Sequence, residues 1–207
     1  VGGNDATPDK GSQILWTAQR LSAIVDVRLK LRPDAAARRI HATAIAVVVM
    51  VLAQIYLGAL VAGTHAGLIY NTWPLIDGSF IPRAAGLMFD TPWWRNFFEN
   101  TLTVQFDHRM LAYTIFAIAL LHLADVLWTK RGARTVVGAL ALAGIVTLQA
   151  TLGIVTLLHQ APLGLALAHQ AVAMLLLGVA TIYAARLAAV APASLRGAAP
   201  PPPPLGA

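Results

Sequence analysis

Six histidines and no cysteine make up the metal-binding vocabulary of this 207-residue chain. An imidazole inside an apolar segment is costly to leave unpaired, and it is also a common neutral ligand for iron. The lack of cysteine removes disulfides, thiolate sites and thioether-linked haem. His108 and His169 each lie a few residues inside an apolar stretch, about five and six residues from where it begins. At 1.5 Å per residue that is roughly 7–9 Å along a helix in both cases. If the two stretches run parallel, two imidazoles stand at equal depth. A pair so placed can supply both axial ligands of one haem held between helices, without a covalent link. Arg109, next to His108, would then be placed to meet the propionates.

The other histidines carry weaker signals. His65 and His159 fall just past the ends of apolar stretches, as interfacial residues or as a second shell above a haem. His41, in Arg38–His41, is a snorkelling residue at the membrane edge. His122 follows His108 by fourteen residues, which returns it to nearly the same helix face about 21 Å further on. A second haem there would need a partner fourteen residues after His169, and that residue is Tyr183. One haem is therefore expected. His122 is read as a core residue beside Asp125, with a His–Asp proton relay as the other reading. A non-haem metal centre from His65, His108, His159 and His169 is a further alternative. The clustered His-x-x-His-His or His-x-x-x-His boxes of membrane di-iron enzymes do not occur.

The elements that must position these residues are membrane helices. Apolar residues make up 57% of the chain and charged ones 12%, outside the range of soluble domains. Four stretches are long enough to cross a bilayer, at about 42–63, 104–128, 136–158 and 164–186. The predicted fold is an all-α integral membrane protein, a four-transmembrane-helix bundle with an amphipathic N-terminal helix and a long outer loop. Three regions follow: a cytoplasmic or interfacial segment 1–41, a haem-binding membrane domain 42–190, and a disordered Pro-rich tail 191–207 ending GAAPPPPPLGA. Residues 14–31 are apolar but broken by Arg20, Asp26, Arg28 and Lys30, as in a helix lying at the interface. Residues 32–39 are expected to be a loop broken by Pro33. No cleavable leader is visible, since residues 1–13 are polar.

The net charge of +6 marks one side of a membrane. Arg20, Arg28, Lys30, Arg32, Arg38 and Arg39 precede the first span, Lys130, Arg131 and Arg134 join spans two and three, and Arg186 and Arg196 follow span four. By the positive-inside rule both termini are cytoplasmic and the 64–103 loop faces outward. No nucleic-acid groove is indicated. That loop carries Trp73, Pro74, Trp93, Trp94, Phe97 and Phe98, which suit either an aromatic belt or a lid over the bundle. Gly58, Gly63, Gly138, Gly144 and Gly153 permit close helix approach.

Several motifs together resemble the C-terminal half of the haem A synthase family. They are LGALVAGTHAGLIYNTWPLIDGSFIP at 57–82, NFFEN at 96–100, QFDHRMLAY at 105–113, TLGIVTLL at 151–158 and AHQ at 168–170. The resemblance covers about 42–186, and ILWTAQRL at 14–21 is similar to the end of that family's fourth span. It implies an oxidoreductase that converts a methyl group of haem O to the formyl group of haem A for terminal oxidases. It also implies a single haem b in this half, with His108 and His169 as iron ligands. The resemblance places substrate haem in an N-terminal half that this sequence lacks, with an acidic residue three positions before its histidine, where Gln105 stands here. No catalytic residue is then expected in this half. Implied partners are that N-terminal half, haem O, the protohaem farnesyltransferase that makes it, and the lipid bilayer. The alternative is a stand-alone b-type cytochrome that only carries electrons.

Overall fold

The computed structural model describes residues 14–22 and 34–189. The Pro-rich tail, residues 1–13 and the stretch 23–33 lie outside the described residues. A short helix α1 (14–22) is exposed throughout, and Arg20 stacks its guanidinium over the Trp16 ring at 3.9 Å. The body is four long helices: α2 (Ala35–Gly63), α5 (Thr101–Trp128), α6 (Ala133–Leu158) and α7 (Leu163–Ala189). Two single turns, α3 (Ala66–Ile69) and α4 (Ala84–Leu87), and a 3₁₀ turn Trp93–Phe97 lie between α2 and α5. All four long helices have the length and hydropathy to cross a membrane. Helices suit that role because they satisfy their own backbone polar groups where no water is present.

The long helices form a closed ring in which α2 packs on α5, α5 on α6, α6 on α7, and α7 on α2. The diagonals are therefore α5–α7 and α2–α6. The two helices that carry His108 and His169 face each other across the core and run parallel. Small and branched residues fill the centre: Ile40, Ala44, Val47 and Val51 from α2, Ile115, Ala119 and Val126 from α5, Ala139, Leu142 and Val146 from α6, and Leu176, Ala180 and Ala184 from α7. Outward faces carry large apolar side chains such as Val49, Leu121, Leu140 and Leu175, as lipid contact requires.

The helices extend past the apolar runs. α2 begins at Ala35, so Arg38 and Arg39 are helical and do not belong to the loop that Pro33 suggests. The cause is local: the Asp34 carboxylate accepts from the Ala37 N–H at 2.6 Å and caps the helix one residue after the proline. Asp34 also takes a forked contact from Arg131 at 2.7 and 3.1 Å, tying α2 to the α5–α6 turn. The Arg131 guanidinium holds the Asp34 carboxyl down to about 2 from its ordinary 3.8. A depressed carboxyl contributes stability that is present above its unfolded value and lost as pH falls through the folded one. The contribution of this exposed pair should therefore be constant above about pH 4 and fade toward pH 2. Asp34→Asn keeps a cap-forming side chain and removes the charge, so the mutant's thermal unfolding in detergent should track wild type at pH 3 more closely than at pH 6.

Candidate functional site

His108 is the eighth residue of α5 and His169 the seventh of α7, each counted from the loop end of the bundle. That sets the imidazoles about 9–11 Å along their helices. Both are half-buried. Each meets a glycine on the neighbouring helix. A Cβ added at Gly58 of α2 would lie 3.3 Å from His108 Cε1, and one at Gly153 of α6 would lie 2.9 Å from His169 Cε1. The glycines make the room in which each ring can stand across the bundle.

Each ring also has a glutamine that inspection of the histidines alone overlooks. Gln54 Nε2 lies 3.1 Å from His108 Nδ1 and 3.3 Å from its Nε2, and donates to the His108 carbonyl at 3.0 Å. Gln149 Nε2 lies 3.4 Å from His169 Nε2. The signal was present in the sequence as a repeat, Gln54-Ile-Tyr-Leu-Gly58 in α2 and Gln149-Ala-Thr-Leu-Gly153 in α6. Four residues apart on a helix, amide and glycine share a face. Both copies turn that face to a histidine.

Several buried polar atoms here have no partner among the described residues: His169 Nδ1, Arg109 Nε, and Oε1 of Gln54, Gln105 and Gln149. Buried polar atoms are normally satisfied, and those that are not call for a reason such as a bound group. Two imidazoles level on diagonal helices, a glycine against each, and unsatisfied atoms around them fit a haem. Among the described residues no group of three or more His, Cys, Asp or Glu could hold a metal ion, which leaves the four-histidine metal centre without a cluster. His65 and His159 are exposed, and His159 Nδ1 lies 2.8 Å from its own helix's Val155 carbonyl. His41 is half-buried near the start of α2.

Arg109 is buried, and its guanidinium donates to the carbonyls of Tyr70 at 2.8 Å and Leu75 at 3.4 Å. Gln105 Nε2 donates to the same Tyr70 carbonyl at 3.4 Å. Two residues of the QFDHR motif thus fasten the YNTWP motif to α5 beside His108. Asp77 and Gly78 both take positive φ and close a tight turn in which Ile76 and Ser79 pair their backbones. Asp-Gly suits such a turn because both central residues must be left-handed. Tyr113 continues the seam: its hydroxyl accepts from Trp73 Nε1 at 3.0 Å and its ring stacks on Phe80.

NFFEN is a structural knot. Asn100 Oδ1 caps α5 at the N–H groups of Leu102 and Thr103, while its Nδ2 donates to the carbonyls of Gly86 and Leu87 and to Asn96 Oδ1. Asn96, fully buried, donates to the carbonyls of Asp90 and Trp93. Arg95 pairs with Glu99 on the surface and holds its carboxyl below the usual range. Trp93, Trp94 and Phe89 remain exposed at this end. The loop is both fastened to α5 and fringed with aromatic rings.

His122 has a partner other than the one expected. Asp125 is occupied by Arg39, whose Nε reaches it at 2.9 Å, so it cannot serve His122 in the way their spacing suggested. The buried His122 Nε2 instead meets the Tyr183 hydroxyl at 2.9 Å across the α5–α7 diagonal, with the rings edge to face. The Tyr183 ring occupies the space that Gly138 leaves on α6. The residue that argued against a second haem is thus the one that closes the core there. Tyr183→Phe should leave His122 unpaired and cost about 1–3 kcal/mol of stability, read as a lower unfolding temperature, whereas the level of His108 and His169 is untouched.

The family of cytochrome oxidase assembly proteins matches residues 12–181. A haem A synthase of Rhodopseudomonas palustris is 49% identical over 194 residues, covering 89% of this chain and 51% of the relative. One of Bradyrhizobium diazoefficiens is 51% identical over 175 residues, 84% of this chain and 46% of the relative. One of Methylobacterium nodulans is 47% identical over 171 residues, 83% and 46%. The chain spans about half the length of these curated relatives. No solved structure matches it significantly.

Proposed function

Because this chain belongs to the family of cytochrome oxidase assembly proteins that includes the haem A synthases, we propose that it is the cofactor-holding half of such a synthase, an oxidoreductase that converts the haem O methyl group to the formyl group of haem A. The observation that carries this reading is the pair of imidazoles, His108 and His169, at one depth on diagonal helices, each packed against a glycine of the neighbouring helix. They would be the axial ligands of one non-covalent haem b. Held between these two imidazoles, such a group would supply one-electron transfer.

The chain's own residues bind and shield. Gly58 and Gly153 give the rings room, and Gly138 admits the tyrosine that closes the core beyond them. Arg109 and Gln105 hold the Tyr70 carbonyl and so keep the loop against the site. With its terminal nitrogens on the loop, Arg109 would meet a propionate through Nε or in addition to these bonds. Gln105 cannot do the work of a carboxylate. Methyl oxidation is therefore assigned to the part of the relatives' length that this sequence does not span. That part, haem O and the protohaem farnesyltransferase that makes haem O are the proposed partners. The protein would lie in the bacterial plasma membrane with the loop end outward, since Arg38, Arg39, Lys130, Arg131, Arg134 and Arg186 gather at the other end. The relatives' names favour this reading over a stand-alone b-type cytochrome.

The test is to purify the chain in detergent, add haem b, and record the spectrum. Low-spin bis-histidine bands at one haem per chain are expected. Mixing the loaded chain with the remaining half of a relative and haem O should then yield haem A by chromatography. Absence of a low-spin haem would overturn the cofactor assignment. A loaded chain that never supports conversion would leave an electron carrier only.

A further inference from the structure

We propose that Gln54 and Gln149 are positioning residues, one for each axial imidazole, whose side-chain oxygens accept the proton on the ring nitrogen that does not face iron. The proposal rests on the bis-histidine reading above and adds the residues that set the donor strength of the two ligands.

A neutral imidazole that gives one nitrogen to a metal carries its proton on the other, and that N–H needs an acceptor, which fixes the ring's rotation and raises its basicity. At His169 the Gln149 amide nitrogen lies 3.4 Å from Nε2, while Gln149 Oε1 and the other ring nitrogen, Nδ1, are buried without a partner among the described residues. At His108 the carboxamide of Gln54 lies within 3.3 Å of both ring nitrogens, and its Oε1 is likewise buried and unpaired. A half-turn of either carboxamide exchanges its nitrogen and oxygen and would set the oxygen at the ring nitrogen the amide now meets, Nε2 in His169 and either nitrogen in His108, giving up at Gln54 the bond to the His108 carbonyl.

The arrangement occurs twice with one pattern. Gln54 and Gly58 of α2 face His108 of α5, and Gln149 and Gly153 of α6 face His169 of α7. In each helix pair the glycine accommodates the ring and the amide four residues earlier meets its nitrogens. Chance packing would not be expected to repeat both residues, at the same spacing, on the two helices that flank the ligand helices. Gln105, the third buried amide nearby, is bonded to the Tyr70 carbonyl and has no contact with either imidazole nitrogen.

The chemistry gives the sign. An acceptor on the distal N–H makes the imidazole a stronger donor and stabilises ferric over ferrous iron. Removing it should raise the midpoint potential, and a more basic acceptor should lower it. The experiment is redox titration of the haem-loaded chain in detergent, followed in the visible bands, for wild type, Gln54→Met, Gln149→Met, Gln54→Glu and Gln149→Glu, with low-temperature spectra of the ferric state. The expected result is an upward shift for each Met variant, a downward shift for each Glu variant, and altered ferric g-values in all four. If the Met variants lose their haem, the Glu variants decide by the direction of their shift. Full haem with potentials and g-values equal to wild type in the variants would overturn the proposal and leave the bis-histidine reading standing. A wild-type chain without low-spin haem would overturn that reading first.

Discussion

Replacing His108 or His169 by alanine is expected to abolish the low-spin haem spectrum and lower haem affinity by more than about 100-fold, beyond the roughly 10–100-fold that outer-shell changes cost a metal site. The magnitude follows from how little else could tether a porphyrin. The chain has no cysteine for a thioether link, so coordination and packing alone would hold the group. Loss of one imidazole leaves a five-coordinate, high-spin iron, and added free imidazole should restore the low-spin bands by entering the space the side chain left. His122→Ala is the contrast, since His122 bonds to Tyr183 in a different layer. It should destabilise the protein and leave the haem bands in place. An unchanged bis-histidine spectrum in His108→Ala would end the assignment.

The second large effect is expected from a single methyl group. Gly153→Ala would place a carbon 2.9 Å from His169 Cε1, closer than real side chains come, while Gly58→Ala would place one 3.3 Å from His108 Cε1, a contact that a small ring movement relieves. Overpacking of this kind costs about 1–3 kcal/mol, which corresponds to roughly 5–150-fold in affinity. Gly153→Ala should fall in the upper part of that range and Gly58→Ala at its lower end. Gly144→Ala and Gly178→Ala add a methyl where nothing lies within 4 Å and should leave haem binding unchanged. Haem titration by absorbance orders the four. Equal affinities across the series would mean that the rings do not stand where the glycines point.

The histidine pair was legible because depth in a membrane helix is a subtraction along the chain. Once four spans and their directions are set by hydropathy and charge, His108 and His169 fall level, and the ring order of the helices puts α5 and α7 on a diagonal. The overlooked residues share a different property. Gln54 and Gln149 are single polar residues in apolar runs, and their meaning depends on the helix beside them, which hydropathy does not specify. Only the recurrence of Gln-x-x-Leu-Gly announced them. His122 is a core residue, as its place in the span suggests, but its partner is not legible from sequence distance: Asp125 is three residues away, and Arg39, from another helix, takes its carboxylate. The start of α2 is hard to read from hydropathy because its first turns carry Arg38 and Arg39, and a capped helix continues into water as readily as it crosses lipid.

The shallow placement of the histidines has an electrical consequence. α5 is 28 residues long, about 42 Å, and outreaches a hydrocarbon layer of about 30 Å by roughly 6 Å at each end if centred. His108, about 10 Å from the loop end, then lies only about 4–5 Å inside the low-dielectric layer. A charge stopping at that level crosses about one-sixth of the membrane field, roughly 0.4 kcal/mol at 100 mV against about 2.3 for a full crossing. Beyond it the His122–Tyr183 contact closes the core. Charge that enters or leaves this site from the loop end should therefore be nearly insensitive to membrane voltage.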